Sequence, residues 1–327
     1  MDRHSSLPVK SVTFGPVPSR RLGRSLGINN IPPKTCSYAC IYCQLGRTLE
    51  MQAARADFYD PALLVDEVSK RIENVRSVGE DVDFLSFVPD GEPTLDLNLG
   101  RTIELLRPLG VEIAVITNCS LLGRSDVRHE LSQADWVSLK MDAVHQEIWR
   151  TIDRPYGRRR LAAIPAGAPA FAATFNGRLA PETKLDQGIN DREENLGELA
   201  NFLARLSPET AYLAIPTRPP AEAAVRAPDE VALTRAWSIL SNKLHNVELL
   251  AGYEGNAFFT TGRAEEDLLA ITSVHPMRSD AVEDLLTRAD ADWSLVRRLL
   301  DEGKLIEVEY GGRSFLMRKL TRTRSRR

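Results

Sequence analysis

Apolar residues along this chain switch repeatedly between two periods. A short apolar run at 25–31 is followed, over about 61–76, by Leu64, Val68, Ile72 and Val75 at the three- and four-residue steps of a helix, with charged residues on the other face. Unbroken apolar runs then come at 82–88, 111–116, 136–141, 179–185 and 211–215. Runs of this kind predict parallel strands buried under crossover helices. Helix-period stretches separate them at 99–107 with Asn98 as cap, at 125–132, 144–152 and 191–206 with Leu196, Leu199, Leu203 and Leu206 in register, and at 229–240. Six strand–helix units predict an α/β fold, a partial (βα)6 TIM-like barrel open on one side.

Pro216, Pro219, Pro220 and Pro228 punctuate the chain after the sixth strand, and Gly252-Tyr253-Glu254-Gly255 marks a second shift in composition. A boundary near 262 gives two domains, 1–261 and 262–327. The second reads as three short helices at 265–271, 279–289 and 293–302, with Ser279 and Asp292 as caps. Strands at 305–310 and 313–319 around Gly311-Gly312 make a hairpin, so the small domain is winged-helix-like.

At 327 residues and 43% hydrophobic composition the chain can bury a substantial core. Its net charge of -3 demands neither nucleic acid nor an anionic membrane as partner. The polar first residues lack the apolar region of an export signal, and no stretch approaches the ~20 apolar residues of a membrane helix, so a cytoplasmic protein is expected. Three of the four cysteines fall within eight residues, too close for a disulfide framework, which favours a reducing compartment and metal or redox chemistry.

Cys36, Cys40 and Cys43 form a CxxxCxxC triplet on the loop after the first strand. Thiolates bind soft metals, and an iron–sulfur cube wants one sulfur ligand per iron, so three cysteines leave one iron open. Cys119 is the remaining cysteine; as a fourth ligand it would close the cluster or make a structural zinc site.

The triplet, with Tyr42 before its third cysteine, resembles the motif of the radical S-adenosylmethionine superfamily. Asp90-Gly91-Glu92-Pro93 after the second strand resembles that superfamily's Gly-Gly-Glu-Pro segment, with Asp90 in the first glycine position. Thr117-Asn118-Cys119 resembles its Thr-Asn-Gly turn, and the cysteine in the glycine position argues against a left-handed backbone there. Ser138 to Asp142 falls where the family commonly binds the ribose. Gly15-Pro16-Val17-Pro18-Ser19-Arg20-Arg21-Leu22-Gly23 and Cys43-Gln44 look more narrowly like a group of uncharacterised iron–sulfur oxidoreductases placed beside the wyosine radical enzymes of tRNA. The wyosine enzymes usually carry a Trp after the third cysteine, where this chain has Gln44.

The resemblance implies an oxygen-sensitive 4Fe-4S cluster on Cys36, Cys40 and Cys43, and S-adenosylmethionine chelating the open iron. Reductive cleavage to a 5'-deoxyadenosyl radical would then abstract hydrogen from a substrate. It further implies a reduced flavodoxin- or ferredoxin-like electron donor. Tyr42, Gly91, Glu92, Pro93, Asn118 and Ser138 would seat the cofactor, and Lys140 and Asp142 would act in catalysis. tRNA is one alternative substrate. The other alternative is a non-enzymatic metal- or redox-sensing winged-helix regulator that binds DNA.

Further residues carry chemistry without a motif. Arg20, Arg21 and Arg24 are a candidate anion clamp or a solvated loop. Glu182, Lys184 and Asp186 alternate on the fifth strand as an inward polar row, while Asn190-Asp191 reads as a helix cap. Glu254 and Asn256 could line the open side of the barrel, and His145 and His275 are expected to be ordinary surface or packing residues. Arg297, Arg298, Arg313, Arg322, Arg324, Arg326 and Arg327 give the small domain a basic face, offset by Glu265, Glu266, Asp267, Glu283 and Asp284.

Overall fold

All six strands read from the apolar runs form, and their partners explain why the runs are apolar. The computed structural model describes residues 12–157, 161 and 163–319; Arg322, Arg324, Arg326 and Arg327 lie outside them. Gly23–Ile28, Phe84–Phe87, Glu112–Thr117, Trp136–Leu139 and Arg178–Leu179 pair in parallel, and a second parallel sheet joins Glu182–Lys184, Ala211–Ala214 and Val247–Leu250. The two sheets meet where Lys140 bridges Glu182. Between Leu179 and Glu182 stands Pro181, which has no N–H to give to a ladder, so the fifth strand is interrupted there.

The outward side chains Leu85, Ile113, Val115, Val137 and Leu213 share one apolar cluster with the covering helices. Pro61–Ser77 is typical of these helices: Asp60 accepts from the Ala62 amide, proline opens the first turn, and Leu64, Val68, Ile72 and Val75 are buried. Leu99–Leu106, Ser125–Leu131, Gln146–Ile152, Glu193–Ala204 and Glu230–Ser241 follow the expected stretches.

Three elements were not expected. Thr13–Ser19 pairs antiparallel with Gly23–Ile28 at the sheet edge, although its glycine and prolines read as a loop. Ala163–Ala172 is helical despite Pro169 inside it. Val247–Leu250 adds a seventh parallel position on the open side of the barrel.

Three caps are corrected. Asn98 precedes its helix but caps nothing with its side chain, which donates to Asp57. Ser279 is the first helical residue, and the capping position before it is Arg278. Asn190 is not a cap either, since the next helix begins at Glu193 behind Arg192. Asp292 does cap, accepting from the Ser294 amide at 2.7 Å.

Toward the C-terminus, Ala264–Val274, Ser279–Arg288 and Trp293–Asp301 are helices, and Leu305–Tyr310 pairs antiparallel with Arg313–Arg318. Gly311 and Gly312, at φ 56° and 71°, make the two-residue turn that needs left-handed backbone. Their apolar cluster takes in Phe14, Val17 and Phe258 from outside the segment. No helix among the described residues is long and apolar enough to cross a membrane.

Candidate functional site

Alternation along the strands sends every second side chain into the barrel. Leu22, Phe84, Ala114, Trp136, Ala180 and Tyr212 form an inner apolar plug. Two residues further along each strand the interior turns polar: Ser25 and Ser86 share a 2.6 Å hydrogen bond, Ser138 Oγ is fully buried without a partner, and Glu182 meets Arg21. One step beyond, Asn118, Lys140 and Lys184 stand at the carboxyl ends, where α/β proteins build ligand sites.

The cysteine loop lies across this mouth and is pinned by backbone. Thr35–Cys36 pairs with Glu50–Met51, and the amides of Ala39 and Ile41 donate to Asp153 and Ile152 at 3.0 and 2.9 Å. Cys36, Cys40 and Cys43 are all free and half-buried. Burial pushes each thiol up; the Glu92 charge adds to this at Cys36 and Asp153 at Cys40, while Lys34 opposes it at Cys43. Among the described residues no group of three His, Cys, Asp or Glu closes on a single ion. A cubane cluster asks for something else, three thiolates offered to three separate irons, and that donor set is what one loop presents here. Any metal taken up must displace the thiol protons.

Gly91 and Glu92 fasten the next segment to that loop. Gly91 bridges Thr35, whose carbonyl oxygen would stand 1.8 Å from a β-carbon at 91, so no side chain fits. The Glu92 carboxylate was expected to reach the cofactor, but it is 1% exposed and fully engaged. Oε1 accepts from the Thr94 amide, the Thr94 hydroxyl and the Thr117 hydroxyl, and Oε2 accepts from the Asn118 amide at 2.7 Å. It ties the Gly-Glu-Pro segment to the Thr-Asn turn, leaving the backbone of 91–93 and the Asn118 side chain to face outward. Asn118 Nδ2 donates to Ser37 Oγ at 3.0 Å and lies 3.6 Å from Cys36 Sγ. Cys119 takes φ 64°, so the turn does require left-handed backbone after all, and its buried thiol points to the Thr117 carbonyl.

Sequence reasoning missed two residues here, because neither sits in a motif. Lys34 occupies the space that Asp90 opens in the first glycine position: the two form a buried pair at 3.3 Å, and burial pushes Asp90 up to about 6 against the pull of Lys34. Asp153, buried and kept neutral by burial and the neighbouring Asp142 charge, accepts from Cys40 Sγ and Tyr42 Oη, both at 3.3 Å.

The far wall is charged. Tyr42 donates to Asp142, and its ring lies 4.8 Å from Lys140 Nζ and 6.0 Å from Lys184 Nζ. Lys140 and Asp142 both enter the interior, 3.8 Å apart, and Lys140 donates to Glu182 at 2.9 Å. Burial opposes the charges of this pair, but Asp142 and Glu182 outweigh it to raise Lys140, and Lys140 with Arg21 holds Glu182 low. Asn190 fixes the strand ends instead of a helix, donating to the Asp142 and Lys184 carbonyls.

A family model described as the Radical SAM superfamily matches residues 30–166, which contain the cysteine loop, the Gly-Glu-Pro segment and the Thr-Asn turn. The chain belongs to the radical SAM superfamily. The UPF0026 protein MJ1312 of Methanocaldococcus jannaschii is 43% identical over 95% of this chain and 97% of its own, which also makes the chain a UPF0026 family member. The UPF0026 protein slr1464 of Synechocystis is 36% identical over 63% of this chain and 76% of its own. Among solved structures, TYW1 with a lysine–pyruvate adduct bound overlays with TM-score 0.53 at 15% identity, covering 74% of this chain and 79% of that one, a likeness of fold. Radical SAM enzymes are catalytic, carry a 4Fe-4S cluster and S-adenosylmethionine, and require a reductant.

Other candidates fall outside the mouth. Arg20 donates to the carbonyls of Leu249 and Gly252, and Arg24 pairs with Asp83, so of the expected clamp Arg21 alone enters the interior. Glu254 pairs with Arg218, which also donates to Gln44 beside Cys43. Asn256 donates to Asp284, His145 meets Glu198 at the surface, and buried His275 stacks edge-on against Phe258.

Proposed function

We propose that this chain is a radical enzyme in which Cys36, Cys40 and Cys43 hold the cluster and the mouth of the barrel seats S-adenosylmethionine and a substrate. The observation that carries this reading is the arrangement of three half-buried thiols on one loop, laid over strand ends that bear Asn118, Lys140 and Asp142. When bound, the cluster supplies one electron that splits the sulfonium of S-adenosylmethionine into methionine and a 5'-deoxyadenosyl radical.

The residues of this chain bind, orient and exclude water. Gly91 keeps the Gly-Glu-Pro segment tight against Thr35, and Glu92 holds Asn118 toward Cys36. Ser138, with its buried unpaired hydroxyl, and Tyr42 are assigned to cofactor contacts. Lys140 and Asp142 carry the charges that meet the polar ends of cofactor and substrate, and the apolar plug beneath keeps water from entering from below. A flavodoxin- or ferredoxin-like protein is the proposed donor, and a reducing cytoplasm the proposed compartment.

We further infer a division into 1–261 and 262–327, the second part a winged-helix-like module. Its charges do not favour nucleic acid: Arg298 and Lys304 already pair with Glu265 and Glu302. The test is anaerobic reconstitution with iron and sulfide, then dithionite and S-adenosylmethionine. 5'-Deoxyadenosine forms with the native chain and not with Cys36→Ala, Cys40→Ala or Cys43→Ala; its absence from native protein of full iron content ends the proposal.

A further inference from the structure

Two lysines share the barrel mouth, and their surroundings differ. Lys140 is committed, held by Glu182 at 2.9 Å and by Asp142 at 3.8 Å. Lys184 is not. Its Nζ donates to the Ile215 carbonyl at 3.3 Å, and among the described residues it makes no ion pair with a carboxylate. It is half-buried, and it stands 6.0 Å from the ring of Tyr42, the residue before Cys43.

We propose that Lys184 is a covalent anchor for a 2-oxo acid, capturing its ketone carbon as an imine beside Tyr42. This deepens the radical reading and rests on it for the chemistry after capture. The uncharged amine is the nucleophile, and burial together with the neighbouring Lys140 charge brings Lys184 down to about 8, so about a tenth is free base at neutral pH. The lone pair of Nζ adds to the ketone carbon, a C–N bond forms, the C–O bond breaks, and the oxygen leaves as water with the two amine protons. No electron enters or leaves.

The charges at the mouth select an acid. Arg21, Lys140, Lys184 and Arg218 face the carboxylates of Glu182, Asp142 and Glu254. Asp142 is engaged by the Lys184 amide and the Tyr42 hydroxyl, and burial pushes Asp153 and Asp186 toward the neutral form. Among these described groups one cation is left without a counter-charge, and the carboxylate of a 2-oxo acid supplies it. A simple aldehyde does not.

The test is reductive trapping on the reconstituted full chain. Pyruvate, or acetaldehyde in a parallel sample, is added with cyanoborohydride, and modified lysines are located by peptide mass spectrometry. Pyruvate is expected to leave a reduced adduct on Lys184 about tenfold or more above that on exposed Lys70, and Lys184→Arg to abolish it. Peptide mapping of the native chain decides the matter even if that variant folds poorly. No adduct, an adduct spread over surface lysines, an adduct on Lys140, or trapping by acetaldehyde alone would each overturn the proposal. Trapping needs neither electrons nor S-adenosylmethionine, so the readouts separate. Deoxyadenosine without adduct removes the Lys184 anchor alone; an adduct on Lys184 without deoxyadenosine removes the radical reading alone.

Discussion

Gly91 and Thr35 touch backbone to backbone: a β-carbon on Gly91 would stand 1.8 Å from the Thr35 carbonyl oxygen, one residue from Cys36. Gly91→Ala must therefore push the cysteine loop outward. We expect a loss of about 2 kcal/mol in denaturant unfolding and reduced iron uptake on reconstitution. Native iron loading in the variant would mean that the loop tolerates displacement and that Gly91 is no spacer.

Cys119 tests the alternative of a fourth ligand. Its thiol is 1% exposed and directed at the Thr117 carbonyl, away from the loop. Cys119→Ser should keep full iron content. Cys119→Gly should leave stability nearly unchanged, because relief of the φ 64° backbone, about 1 kcal/mol, offsets a similar loss of buried apolar surface. Iron analysis and unfolding curves check both.

Much of this was legible in the chain because the signals were local. The three cysteines sit on one loop, and each apolar run had to be a strand under a helix. Glu92 was legible as a site residue but not in its task, since the partners that occupy its carboxylate, Thr117 and Asn118, come from another strand end. Lys34 and Asp153 were invisible for the same reason: each acquires meaning only from a partner far along the sequence, Asp90 and Tyr42 respectively. Val247–Leu250 escaped because it is an edge strand with two exposed positions, so it lacks the unbroken burial that marked the others.

Glu182 serves two cations at once, Arg21 and Lys140, inside the barrel. Glu182→Gln leaves both without their shared carboxylate, and we expect a loss of about 3 kcal/mol by urea unfolding. A loss below about 1 kcal/mol would mean that water or Asp142 compensates.

Asp186 sets a pH dependence of stability. Burial, aided by the Asp142 charge, raises its carboxyl to about 7, and both oxygens are buried without hydrogen-bond partners. Between the ordinary value near 4 and about 7, the folded chain keeps a proton that the unfolded chain has released, so stability falls as pH rises through that window. Asp186→Asn should flatten the fall. Unfolding free energies at about pH 5 and about pH 7.5 measure it, and an unchanged slope would assign the dependence to other groups.

Phe14 and Val17 belong to the first strand of the sheet yet are sealed by Leu268, Ile271 and Leu316. The C-terminal helices and hairpin thus act as a plaster over the one sheet edge that no crossover helix protects. Cutting the chain at 262 would expose an aromatic, β-bonded margin to water, and the shortened protein should self-associate through it.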